Sequence, residues 1–153
     1  MARLGSFRAN SDGLSTDSWA IYVFDDGLIE LRPSTISAVP GWLESRPGLF
    51  PDMAGRSLDK REGAVLALGE DTSSQAVAQQ FKWAKRTAFA DTEGIELHHG
   101  GKVMTACDLT IRTTSGETAT LLVQAEDAEY VRDLLARALG SRFHTDLSSN
   151  APT

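Results

Sequence analysis

The stretch from Glu126 to Leu139 sets Val131, Leu134, Leu135, Ala138 and Leu139 on one helical stripe, with polar side chains around the rest of each turn. A helix built this way must lay its stripe on an apolar face supplied by the rest of the chain. The segments before it are strand-like. RTAFA (Arg86–Ala90), GIELHH (Gly94–His99), KVMTACDLTIRTT (Lys102–Thr114) and ETATLLV (Glu117–Val123) follow one another, with turns at Gly100-Gly101 and Ser115-Gly116. Such a meander does not bury its apolar face unaided, so the last helix is its cover. Gly140 stands where a helix C-terminus favours glycine.

A second group of strands lies earlier. WAIYVF (Trp19–Phe24) is aromatic and β-branched, and LIELR (Leu28–Arg32) alternates apolar and polar. Asp25-Asp26-Gly27 between them predicts a tight hairpin of type I′. From Pro33 to Lys85 the pattern is less regular, with a helical turn expected around Thr35–Val39. Ser57 to Asp71 reads either as a helix ending near Gly69 or as a strand at Ala64–Leu68. Thr72 to Lys85 reads as a helix, because Thr72 and Gln75 match a capping box and Val77, Phe81 and Ala84 share a face. Lys82, Lys85 and Arg86 then fall at its C-terminal end, where the helix dipole favours cations.

No alternation of strands and helices suggests parallel βαβ units, so the fold class is α+β. The expected architecture is a curved antiparallel sheet or partly open barrel, closed by the C-terminal amphipathic helix and carrying an irregular, partly helical insertion. One domain is expected over 18–143. Few apolar residues in 1–17 and 144–153 make those segments expected mobile ends.

Charge and cysteine content narrow the function. Fifteen Lys and Arg stand against 21 Asp and Glu, a net charge of −6, which argues against a dedicated nucleic-acid binder. Cys107 is the only cysteine, so an intrachain disulfide is excluded and a reducing compartment fits. Arg3 and Arg8 are followed by no apolar signal core, and no apolar run approaches the ~20 residues of a membrane span. The expected location is the cytoplasm, with any membrane contact peripheral.

Several groupings are candidates for chemistry. Trp42, Leu43, Leu49, Phe50 and Met53 concentrate large apolar side chains in the irregular middle, either as an exposed recognition patch or as a satellite core. Lys82, Lys85 and Arg86, with Trp83 among them, form the local basic cluster. They suit an acidic partner, nucleic acid or a membrane surface, or simply a cationic helix end completed by a core tryptophan. Glu96 and His98 share a strand face, and with His99 and Cys107 or Asp108 would make a metal site, though at no recognised spacing. Cys107 as a nucleophile needs a lowered thiol pKa and a placed base. Asp25 and Asp26 are accounted for by turn geometry. No glycine-rich phosphate loop is present, and no cofactor is expected.

The pieces RTAFADTEGIELHHG, DLTIRTTSGETATLLV and EDAEYVRDLLARALGSRF, preceded by the hairpin WAIYVFDDGLIELR, together resemble a bacterial pleckstrin-homology-like domain. The resemblance implies a binding module without naming its partner. In phosphoinositide-binding members of that family the first hairpin turn carries Lys and Arg. Here it is Phe24-Asp25-Asp26-Gly27, which argues against that ligand. The expected function is a non-catalytic interaction or scaffold domain that binds a protein partner through the Trp42–Met53 loop or a sheet edge. The alternatives are a small metal-dependent protein or enzyme around Glu96, His98, His99 and Cys107, and a peripheral membrane module using Lys82, Lys85 and Arg86.

Overall fold

The structure is a computed structural model that describes residues 3–11, 18–32, 53–99 and 106–147. These form eight strands: β1 (Arg3–Ser11), β2 (Ser18–Phe24), β3 (Gly27–Leu31), β4 (Ala84–Ala88), β5 (Thr92–His99), β6 (Ala106–Thr113), β7 (Thr118–Gln124) and β8 (Phe143–Thr145). Three α-helices accompany them: α1 (Met53–Ala67), α2 (Ser74–Gln80) and α3 (Ala128–Leu139). One sheet contains every strand, in the order β4-β3-β2-β1-β7-β6-β5-β8. Neighbours run antiparallel, apart from the parallel pair β5–β8. The sheet is therefore mixed, and it stays open between β4 and β8 rather than closing into a barrel. The class is α+β, as the element order predicts.

The hairpin forms where expected. Val23 pairs with Leu28, leaving Asp25 and Asp26 as the two-residue loop. Gly27 is already in β3, and close approach explains it: a Cβ there would sit 2.6 Å from the Thr87 carbonyl oxygen and 3.0 Å from Ser74 Oγ. All five β3 residues are buried, because both of its faces are covered. One face, with Leu28, Ile21 and Val23, joins the main core beneath α3, where Val131, Leu134 and Leu135 pack on Ile95, Leu109 and Val123. The other face, with Tyr22, Phe24, Ile29 and Leu31, is covered by Leu58 and Val65 of α1 and Val77 of α2. Fully burying one such aliphatic side chain contributes about 2 kcal/mol, so two covered faces make β2 and β3 the best-anchored strands.

Several elements differ from the expectation. Residues 3–11, expected to be a mobile end, form β1 between β2 and β7. Among its described side chains only Phe7 and Ala9 are buried on the core face, which is too few for a strand signal. Strand pairing on both sides supplies the rest. At the other end Phe143–Thr145 forms β8, and the Thr145 hydroxyl donates to the Leu97 carbonyl at 2.8 Å. Of the region 57–71, residues 57–67 are helix and 68–71 are not; Leu58 and Val65 lie seven residues apart on one face of α1.

The next helix is shorter than predicted. It starts at Ser74, and its cap is Ser73, whose Oγ accepts from the Ala76 amide at 3.1 Å. Thr72 instead donates to the Leu68 carbonyl. The helix ends at Gln80: Phe81 is extended and stacks on Trp83, ring centroids 4.4 Å apart, against the second core, and the chain then enters β4. The helical turn expected around Thr35–Val39 lies outside the described residues.

Candidate functional site

Strand alternation decides where the basic cluster goes. Lys85 pairs with Glu30 and Thr87 with Leu28, so both point to the face that carries the main core. Arg86 points to the opposite face, where Nε donates to Ser74 Oγ at 2.8 Å and a terminal guanidinium nitrogen reaches Asp26 Oδ2 at 3.4 Å. Lys82 is exposed between α2 and β4. Trp83 stacks on Phe81, and the Arg61 guanidinium lies 5.3 Å from its ring centroid. The four residues thus separate onto different faces instead of forming one basic patch.

Asp26 ties the hairpin turn to α2. It accepts from the Ser74 amide at 3.0 Å as well as from Arg86. Burial alone would raise its pKa, but hydrogen bonds from the Ser74 hydroxyl and from the Ser74 and Gln75 amides outweigh that and hold its carboxyl below the usual value. On the same side of the sheet, Glu62 of α1 accepts from Arg8 at 2.6 Å and from the Tyr22 hydroxyl at 3.3 Å. Burial, reinforced by the Glu62 charge and hydrogen bond, pushes the Tyr22 phenol up to about 12.

On the main-core face, beyond the last buried residues, a cleft of about 470 Å³ opens between β3–β4 and the β6–β7 hairpin. That size lies in the range of small-ligand sites. Glu30, Lys85, Arg86, Thr87 and Ala88 form one wall, with Asp91 at its end. Ile111, Thr113, Glu117, Thr118 and Ala119 form the other. β4 is a terminal strand, and among the described residues no strand pairs with its outer edge. Four consecutive residues of this terminal strand, Lys85 to Ala88, thus line the cleft.

Glu30 is the unusual member of the lining. It is 3% exposed, and its Oε2 accepts no hydrogen bond. The nearest cations are Arg32 at 3.7 Å and Lys85 at 3.8 Å, both beyond hydrogen-bond length. Arg32 is in turn stacked over Trp19, 4.2 Å from the ring centroid. Sequence reading passes over Glu30, because the alternation in LIELR assigns it to solvent. The available signal was the neighbouring strand WAIYVF, whose lack of alternation marks a sheet covered on both faces.

The other candidates are placed as follows. Met53 opens α1, while Trp42, Leu43, Leu49 and Phe50 lie outside the described residues. The His98 imidazole sits between Glu96 at 3.7 Å and Asp146 at 3.6 Å, and Arg112 donates to Glu96 at 3.2 Å. Cys107 lies opposite His99 in the β5–β6 register and is buried. Burial and the nearby Asp146 and Asp108 push its thiol up, the reverse of what a nucleophile requires. Among the described residues no group of three or more His, Cys, Asp or Glu side chains is arranged to hold a metal ion. Among them, too, no helix is long and apolar enough to cross a membrane.

No protein-family model matches the chain, and no curated protein does either.

Proposed function

We propose that the chain is a non-catalytic binding module of pleckstrin-homology-like shape, and that it takes an extended segment of a protein partner along the outer edge of β4. The observation that carries this reading is the cleft of about 470 Å³ lying against that terminal strand. An added strand gains main-chain hydrogen bonds from an open edge, and an adjoining cavity gives its side chains somewhere to be read. The likeness in shape rests on antiparallel strands followed by a C-terminal helix packed over one sheet face. Burial and neighbouring carboxylates push the Cys107 thiol up, which argues against Cys107 as a nucleophile.

The test is selection from a random peptide display library on immobilised full-length protein, in parallel with Ala119→Trp. Ala119 is an exposed residue of β7 that lines the cleft, so the indole fills the cavity without entering the core. Peptides that bind the wild type and lose at least roughly tenfold in affinity on the filled variant, ~1.4 kcal/mol, are the expected result, with unchanged circular dichroism. Peptides that bind both proteins equally would place the interaction elsewhere.

A further inference from the structure

We infer that the cleft selects a cationic side chain, an arginine or lysine on the partner's extended segment, and that Glu30 is the group that reads it. The inference rests on the binding-module reading above and names what that site recognises.

A carboxylate oxygen withdrawn from water and given no hydrogen bond is costly to keep, and such atoms in native folds call for an explanation. Glu30 Oε2 is in that position at the wall of a cavity. It needs a donor: the nearest cation, Arg32 at 3.7 Å, lies outside the cleft lining and is stacked over Trp19, and the charge of the lining itself favours a donor that is positive. Besides Glu30, the lining contains the carboxylates of Asp91 and Glu117. Of its two cations, Arg86 is turned to the opposite face and engaged by Asp26 and Ser74. That leaves Lys85 as the cation facing the cleft.

Lys85 also shows how a ligand reaches Glu30. Its ammonium stands 3.8 Å from Oε2, near enough to shield the oxygen and too far to hydrogen-bond it. Its side chain is 58% exposed on a terminal strand. Only the lysine end of this pair is in solvent, and with no hydrogen bond formed nothing fixes the ammonium in place. The ammonium therefore acts as a placeholder. A guanidinium brings planar, forked donors that match a carboxylate at proper hydrogen-bond distance, and it replaces Lys85 as Lys85 swings outward.

The test uses isotope-labelled full-length protein titrated with L-arginine amide and with L-citrulline amide, its neutral isostere, followed by the backbone amide signals of Thr87 and Ala119. Arginine amide should shift these signals saturably, and citrulline amide should bind at least roughly tenfold more weakly. Glu30→Gln should abolish the difference between the two probes. Lys85→Ala should strengthen arginine amide binding several-fold, an effect that a purely structural role for Lys85 would not produce. The inference is overturned if arginine amide leaves the cleft signals unmoved, if the two probes bind alike, or if Lys85→Ala weakens binding. Its failure is separable from failure of the binding-module reading. Cleft-dependent peptides that share no Arg or Lys position would retain the module and remove the cation. Arginine amide binding without any cleft-dependent peptide would retain the cation site and overturn a protein segment as its source.

Discussion

Asp26 and Glu30 are acidic residues four positions apart, and their surroundings differ sharply. Asp26 is given donors from Ser74, Gln75 and Arg86. Glu30 has cations near it and no hydrogen bond on Oε2. Because the folded protein holds the Asp26 carboxyl below its unfolded value of 3.8, its contribution to stability is present above that pH and is lost as pH falls through the lower folded value. Asp26→Asn should therefore be less stable than the wild type at neutral pH. The gap should close on acidification, as read by urea midpoints followed down through the carboxylate range. A gap that persists in acid would mean the loss is steric rather than ionic. At this scale the sequence is a poor guide. Asp-Asp-Gly identifies a turn correctly, but the partner of Asp26 lies 48 residues away, and nothing local announces it.

At the scale of elements, periodicity was informative wherever one partner surface dominated. α3 is legible because its single stripe meets a single sheet face, and the β2–β3 hairpin because its turn is local. Between Gly69 and Ala84 two competing patterns overlap. Val77, Phe81 and Ala84 share helical spacing, yet all three belong to the second core by different routes: Val77 from a helix, Phe81 from its end and Ala84 from a strand. A spacing rule cannot separate those cases, so it extends the helix through Lys85. The same overlap hides the cap. Thr72 and Ser73 are both acceptable N-caps by residue type, and only Ser73 accepts from the helix. Ser73→Ala should cost about 1 kcal/mol, measured by chemical denaturation. Thr72→Ala, which removes only a hydroxyl contact to the Leu68 carbonyl, should cost less. Equal losses would contradict the assigned start of α2.

For the whole molecule the decisive strand is the one least evident in the sequence. β1 joins β2 along most of its length and meets β7 at Asn10 and Ser11, so it links the group β2–β4 to the group β5–β8. Its own residues are mostly small or polar, and its place in the sheet comes from neighbours that are distant in sequence. Removing Arg3–Ser11 should therefore abolish the cooperative thermal transition instead of trimming a loose end. A truncated protein that still melts in one sharp step would show that the two groups hold together through α3 alone.

The central place of β1 has a consequence for how the protein is made. On the ribosome β1 emerges before the other described strands and finds β2 almost at once, but its second neighbour is not synthesised until Thr118–Gln124. For that interval the edge that will become the middle of the sheet has nothing to pair with, and unpaired edges invite other chains. Nascent chains arrested before β7 should be the species most dependent on chaperone protection.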